Sequence, residues 1–395
     1  MVAERLLAAG LEVTVHDRMR TPARKFLVAG RGGLNLTHDE PLGSLLDRYG
    51  PARDRLERAI RAFGPDDLRA WAHDLGQATF VGTSRRVLPD RLLAAPLLAA
   101  WIERLTAAGA TFRFRHRWTG WDGDATTFET EDGGRIVVRS DATVLALGGG
   151  SRPRTRSGRS WAGAAPTAGV VVRPLRPANC GVLVDWSDVF RDRFDGTPVK
   201  NVVVRHGRHA ARGEALVTSE GLEGGAVYAL SAGIRDALDR GEPVELVLDL
   251  RPDVPVDELA ARIARRRPKE TTTTTLRRTA GLAPVAVGLL REATGNRLPD
   301  DPAALAALAG AAPVRVVGLA PLEDAISTAG GIALDEVNEA FMLRRRPGVF
   351  VAGEMLDWEA PTGGYLLQAT FSTAVAAAEG VVAGASGSGR PGPSH

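Results

Sequence analysis

The sequence predicts an α/β fold, a doubly wound parallel sheet interrupted by an inserted β-rich domain, and three stretches predict it. The opening MVAERLLAAGLEVTVHDR reads helix, glycine, strand, acid, which is how a dinucleotide-binding βαβ unit finishes. ATVLALGGG, residues 142–150, is an unbroken apolar run ending in three glycines, as expected of a buried parallel strand whose end meets a ligand. From about 170 to 325 the texture changes, with short strands around an Arg/Ala-rich helical stretch at 256–309.

Bulk properties narrow the class. The chain has 395 residues, 44% of them hydrophobic, which suits a globular protein of two or three domains. No apolar run approaches the roughly 18 residues of a spanning helix, and the start lacks the regions of a signal peptide, so a cytoplasmic protein without a membrane partner is expected. Cys180, the single cysteine, excludes an intramolecular disulfide, a CxxC pair and a cysteine-rich metal site, so redox chemistry must come from a cofactor. The pI is near 9.4, but 50 Lys plus Arg against 47 Asp plus Glu leaves a net charge of only +3, and no nucleic-acid partner is expected. The runs Arg265–Arg267 and Arg344–Arg346 read as solvated surface.

Each element can be justified in order. Val2, Ala3, Leu6 and Leu7 share a helix face that Gly10 ends, and Val13 and Val15 alternate into a strand closing on Asp17. A glycine-rich loop, AGRGGLNLTH, precedes polar-faced helical stretches at about 43–76. Pro89 and Asp90 introduce the helix RLLAAPLLAAWIERLTAAG. TFRFRHR, TTFETEDGG and GRIVVRS alternate with period two and read as one antiparallel meander. VVVRPLRP, VKNVVVRHG, GEALVTSEG and VELVLDL are the strands of the insertion, and the pentathreonine at 271–275 reads as a loop or helix start without a function. After 326 the first texture resumes with ISTAGG, the strand GVFVAGE and a helix of small residues at about 366–384. The expected domains are 1–172 and 326–385 for the doubly wound part and 173–325 for the insertion, with a disordered tail at 386–395.

Glycines carry chemistry where they end strands or open helices, because backbone N–H groups can there approach phosphate oxygens. Three clusters meet that condition. The first holds Gly30, Gly32 and Gly33, with Lys25, Asn35 and Thr37 as polar partners. The second is Gly148–Gly150. The third is VFVAGEMLDWEAPTGGYLLQ, where Gly353 ends a strand, Asp357 follows, and Thr362, Gly363 and Gly364 introduce a helix. Asp17 is the candidate for an adenosine ribose, by its place at a strand end.

These motifs resemble the BaiN/YhiN-like bacterial flavoproteins, NAD(P)/FAD-dependent oxidoreductases with a glutathione-reductase-like FAD domain. The resemblance covers nearly the whole chain and is strongest at 24–38, 143–150 and 327–375. It implies a Rossmann-like FAD-binding domain, with Gly353, Glu354 and Asp357 by the pyrophosphate and ribityl chain and with Gly363, Gly364 and Tyr365 at the isoalloxazine. Many members carry S-G-x-G-R-C-N in the first loop. This chain has Ala29 to Asn35 without the cysteine, so chemistry that uses that thiol is not expected. Leu366 stands where members often have Asn, and Gln368 is retained.

Counting back about 20 residues from Asp17 places the expected phosphate loop ahead of Met1. The doubly wound domain is therefore expected to lack its first strand and phosphate loop in this sequence, and in-frame codons upstream are expected to encode them. In a 3-2-1-4-5 order that strand lies centrally, between strands two and four. The leading functional expectation is an FAD-dependent oxidoreductase, reduced by NAD(P)H on the strength of the resemblance, acting on a small molecule that the sequence does not specify. No catalytic acid or base, and no oligomeric state, can be named. The alternatives are a non-catalytic binding protein that keeps the FAD-domain fold, and a nucleic-acid-modifying flavoprotein.

Overall fold

The computed structural model describes residues 1–29, 33–151 and 160–387, so the expected site residues Gly30 and Gly32 lie outside the described residues. The chain divides into two compact units, residues 1–176 with 327–395, and residues 177–326.

The first unit begins with α1 (Val2–Ala8), β1 (Thr14–Asp17), α2 (Arg24–Ala29) and the short β2 (Thr37–His38). The amphipathic helices α3 (Leu42–Asp47), α4 (Arg53–Ala62) and α5 (Pro65–Asp74) come next, then β3 (Thr79–Val81), β4 (Arg86–Pro89) and α6 (Ala94–Ala107). Glu4 of α1 accepts hydrogen bonds from the indoles of Trp71 and Trp101 at 3.0 and 2.7 Å and pairs with Arg104, so one half-buried carboxylate ties α1 to α5 and α6. β2, β4 and β3 form a small antiparallel sheet that carries His38 opposite Arg86.

The stretch expected as one meander is divided. β5 (Thr111–Phe114) pairs in parallel with β1, while β6 (His116–Asp122), β7 (Ala125–Thr130) and β8 (Arg135–Val138) form the antiparallel sheet. The break is at Arg115, whose φ of 62° turns the backbone and places TFRF in a different sheet from HRWTGWD. Both segments alternate with period two, and partner choice is not encoded in that period.

β9 (Thr143–Leu145) is followed, after Ala146 and Leu147, by the three glycines, α7 (Ser160–Ala164) comes after them, and β10 (Val172–Ala178) leads out of the unit. The second unit is a seven-stranded antiparallel sheet built from β11 (Val182–Leu183), β12 (Pro198–His206), β13 (His209–Thr218), β14 (Gly221–Glu223), β15 (Val244–Asp249), β16 (Ala312–Val316) and β17 (Gly318–Leu319). Their order is β16-β15-β12-β13-β14-β11-β17. Its helices are α8 (Asp188–Phe194), α9 (Gly225–Tyr228), α10 (Ser231–Asp239), α11 (Val256–Ile263), α12 (Thr272–Thr279), α13 (Pro284–Ala293) and α14 (Pro302–Gly310). They share one apolar core with the sheet, in which Val202, Val204, Leu246, Leu248, Leu276 and Leu289 are fully buried. The pentathreonine opens α12, with Thr271 as N-cap accepting from the Thr274 N–H.

The chain then returns to the first unit as β18 (Ser327–Ile332), β19 (Val349–Val351) and α15 (Tyr365–Gly387). β19 pairs in parallel with β9, and β18 forms a separate two-stranded sheet with β10. Among the described residues β1–β5 and β9–β19 are thus two separate parallel pairs. The helix α15 contributes Tyr365 and Ala369 to one apolar cluster and Phe371, Val375 and Ala378 to another. Its small residues permit that contact on both sides. Contrary to the expectation from the sequence, α15 is long and apolar enough to cross a membrane, by length and composition. Its helical run joins short apolar stretches broken by one or two polar residues at a time, and 56% of the apolar window is buried inside the protein, as in a core helix.

Candidate functional site

The strand ends and glycine turns of the first unit assemble two groups of polar side chains. One forms where β9 and β19 end and β18 begins. Glu354, after β19, pairs with the Lys25 ammonium of α2; its carboxylate also accepts from the backbone N–H of Thr328 at 3.0 Å and of Gly149 at 3.3 Å. Lys25 reaches Ser151 Oγ at 3.1 Å, and Thr328 Oγ1 accepts from the N–H groups of Gly150 and Ser151 at 2.9 and 3.0 Å. A Cβ on Gly149 would lie 2.7 Å from Thr328 Cβ and 2.9 Å from Glu354 Cδ, so only glycine permits this approach. The N–H groups of Gly149 and Gly150 are therefore directed at protein acceptors, Glu354 and Thr328.

The second group surrounds the start of α15. Gly363 and Gly364 have φ of +121° and +111°, and the α-carbon of Gly363 faces Arg86 Nε, the Tyr365 ring and His38, all 3.6–3.9 Å from where a Cβ would be. The rings of His38 and Tyr365 stack with centroids 5.0 Å apart and planes 19° from parallel. Tyr365 donates to Glu40 Oε1 at 2.6 Å, and Glu40 also pairs with Arg48 at 3.3 Å. Tyr49, buried, donates to the Tyr365 carbonyl at 2.8 Å.

Burial sets the charges here. It raises the Tyr365 phenol, and the Glu40 carboxylate beside it adds to the effect, so the phenol keeps its proton. Burial lowers His38 below the usual imidazole range despite Glu40, so His38 is neutral near pH 7. Burial would raise Glu40, but the bonds from Tyr365 and Arg48 outweigh it and hold Glu40 low and ionised. The result is a stacked neutral pair beside an ionised carboxylate, at the positive end of a helix of 23 residues.

The remaining sequence candidates take definite places. Thr37 is fully buried and donates to Gln368 Oε1 at 2.6 Å, while Gln368 Nε2 donates to the Phe63 carbonyl at 2.9 Å, so this hydroxyl clamps β2 to α15. Asp17 Oδ1 accepts the Met19 N–H at 2.8 Å and ties the turn after β1; burial raises its carboxyl above the ordinary range. Burial likewise raises Asp357, with the charges of Arg173 and Arg176 opposing. Gly148 accepts from the Trp161 indole at 3.0 Å and Gly353 from that of Trp358 at 2.9 Å, which makes Trp358 a core side chain. Thr362 is partly buried directly before Gly363. Glu40, Arg48, Arg86, Ser151 and Thr328 were missed by sequence reasoning, because none belongs to a glycine cluster or a spaced motif. The one available signal was the place of Thr328 just ahead of the paired glycines of ISTAGG.

Among the described residues, two buried atoms in this region lack a hydrogen-bond partner, Asn35 Oδ1 and His38 Nδ1, the latter 3.5 Å from Glu40 Oε1. Buried polar atoms without partners are costly, so such positions fit a ligand that satisfies them. An acceptor at Asn35, an imidazole nitrogen at His38 and the glycine approach at 363–364 fit a planar heterocycle that carries N–H and C=O groups, as an isoalloxazine does.

Comparison with known proteins finds several similar chains. A ribosomal RNA dihydrouridine synthase of Escherichia coli is 25% identical over 397 aligned residues, covering 95% of this chain and 93% of that protein. A 3-ketosteroid Δ1-dehydrogenase from Sterolibacterium denitrificans, solved with 1,4-androstadiene-3,17-dione, has a similar fold with a TM-score of 0.52 at 12% identity, 97% of each chain being covered. The FrdA subunit of E. coli quinol fumarate reductase superposes over 99% of this chain and 70% of its own, with 13% identity and a TM-score of 0.49. The model of the HI0933-like protein Rossmann domain matches residues 1–380. The chain belongs to the HI0933-like Rossmann-domain family.

Proposed function

We propose that this chain is an FAD-dependent oxidoreductase that draws on NAD(P)H and reduces a uridine base within RNA. The observation that carries the choice of acceptor is the alignment, along nearly the full length of both chains, with the E. coli ribosomal RNA dihydrouridine synthase. When bound, FAD supplies hydride transfer between a nicotinamide and an acceptor. Saturating the C5=C6 bond of uracil takes one hydride and one proton, so NAD(P)H and a proton are consumed and NAD(P)+ is released. The expectation of no nucleic-acid partner rested on net charge, which averages over the whole chain.

Under this reading Lys25, Glu354, Gly148, Gly149, Gly353 and Asp357 lie along the cofactor chain, with Asp17 toward its adenosine. Asn35, Thr362, Gly363, Gly364 and Tyr365 lie at its ring. Arg86 and the α15 N-terminus make the potential there positive, which favours negative charge on a bound ring or base. The stacked His38 and Tyr365 present a flat wall that excludes water, held by Glu40 and Arg48.

The test is the visible spectrum of the full chain after incubation with FAD, followed by NADH or NADPH with ribosomal RNA and mass spectrometry of the nucleosides. A bound flavin spectrum and dihydrouridine formation are expected. Nicotinamide oxidation with a dye but no dihydrouridine would remove RNA as acceptor and leave the oxidoreductase. A chain that retains no flavin would leave the non-catalytic binding protein.

A further inference from the structure

The inserted unit, residues 177–326, carries a basic groove that the chemistry above does not use. Two shallow depressions, of about 450 and 340 Å³, share the turn Gly281–Ala283 between α12 and α13, where Gly281 and Ala283 are exposed and Leu282 is buried. The larger is lined by Thr274, Arg277 and Arg278, the smaller by Lys200, Arg251 and Asp253 among others. Asp253, the one acid on this lining, is already satisfied: Arg212 Nη2 lies 2.7 Å from both its oxygens and Asn201 donates at 2.7 Å. Arg278 is likewise neutralised by Glu270 at 2.8 Å, whereas Lys200, Arg251 and Arg277 have no ion pair among the described residues.

The segment that borders the groove is unlike the rest of the chain. Residues 264–282 contain six cations and one acid, a local net of +5 against +3 for the whole protein. Arg265, Arg267 and Lys269 are exposed and, among the described residues, also without an ion pair. The pentathreonine lies against this surface as the start of α12, with Thr274 on the groove lining. The first turn of α13 has no side-chain cap, and Pro284 is its first residue, so the N–H groups of Val285 and Ala286 have no acceptor within the helix. Guanidinium groups, hydroxyls and open N–H groups on a shallow, open surface match phosphate oxygens. The lining has no aromatic side chain on which a base could stack, so recognition there would be of the sugar-phosphate backbone.

We propose that this groove docks the phosphate backbone of the RNA substrate, with the inserted unit supplying affinity and the first unit the chemistry. The inference rests on the RNA reading above. The RNA lies along Gly281–Ala283, its phosphates met by Lys200, Arg251, Arg277 and the bordering Arg265, Arg267 and Lys269.

The test is fluorescence anisotropy of a labelled ribosomal RNA stem-loop with the FAD-loaded full chain over a series of salt concentrations. R265E/R267E/K269E/R277E is compared with R91E/R139E/R208E/R315E, which makes the same change in net charge at four other exposed arginines. The groove variant is expected to lose about tenfold or more in affinity, and its slope of log K against log salt is expected to flatten by about 3, at roughly 0.7–0.9 per phosphate contact. NAD(P)H oxidation with a dye acceptor should remain unchanged in both variants. Equal losses in the two variants, or none in either, would overturn the groove while RNA binding by the parent chain left the RNA reading in place. A parent chain that binds no RNA overturns both, and dye turnover still reports the flavin chemistry separately.

Discussion

Gly364→Ala probes the contact that positions the start of α15. A Cβ at residue 364 would lie 2.5 Å from the carbonyl carbon of Thr37 and 2.6 Å from its Cα. Both are backbone atoms of β2, so no rotamer change relieves the clash. The φ of +111° adds strain for any L side chain. Gly363→Ala is the internal control, because its φ of +121° carries similar strain while its nearest neighbours are 3.6 Å away. Backbone strain alone costs about 1–3 kcal/mol and applies to both variants. Overpacking adds about 1–3 kcal/mol to Gly364→Ala only. For a unit of this size that difference lowers the melting temperature by a further 2–12 °C, roughly 2–4 °C per kcal/mol. Tryptophan fluorescence is the suitable probe, since six of the seven tryptophans lie in the first unit and only Trp186 in the second. Equal melting temperatures for the two alanine variants would show that β2 does not press on the α15 N-terminus, and the site geometry built on that contact would fall with it.

Three further outcomes are expected. Thr37→Val leaves Gln368 Oε1 buried without its donor and should cost about 1–3 kcal/mol in denaturant unfolding; a change within error would mean that Gln368 finds another partner. Burial, with His116 3.0 Å away and Arg113 nearby, holds His16 down at about 4 from 6.5. The folded state therefore resists a proton that the unfolded chain accepts, so stability is full above pH 6.5 and declines as pH falls toward 4. Because His16 is only half-buried, the decline is about 1–2 kcal/mol. His16→Gln should flatten the stability profile in that window, and an unchanged slope would assign it to other groups. Lys25→Met leaves the Glu354 carboxylate with two backbone donors and no counter-charge, at a cost of about 1.5–3 kcal/mol. Flavin retained on gel filtration should fall with it, and undiminished flavin content would take Lys25 out of the cofactor site.

The sequence by itself determined the α/β class, the order of most helices and strands, and the position of glycines at a strand end and a helix start. These are local properties: period two or 3.6 reports which face of an element is buried, and a glycine reports backbone that other residues adopt poorly. Partner choice belongs to the tertiary structure. TFRF and HRWTGWD read as one alternating run, yet the turn at Arg115 sends the first beside β1 and the second into an antiparallel sheet. Lys25 meets Glu354 across 329 residues and Tyr365 meets Glu40 across 325, and no local pattern encodes either pairing. Charge shows the same division. Its sum is a property of composition and the basic run at 264–282 is local, but the fold decides that Lys200 and Arg251 line the depression sharing the Gly281–Ala283 turn with that of Arg277, and that Arg212 and Arg278 neutralise the acids there.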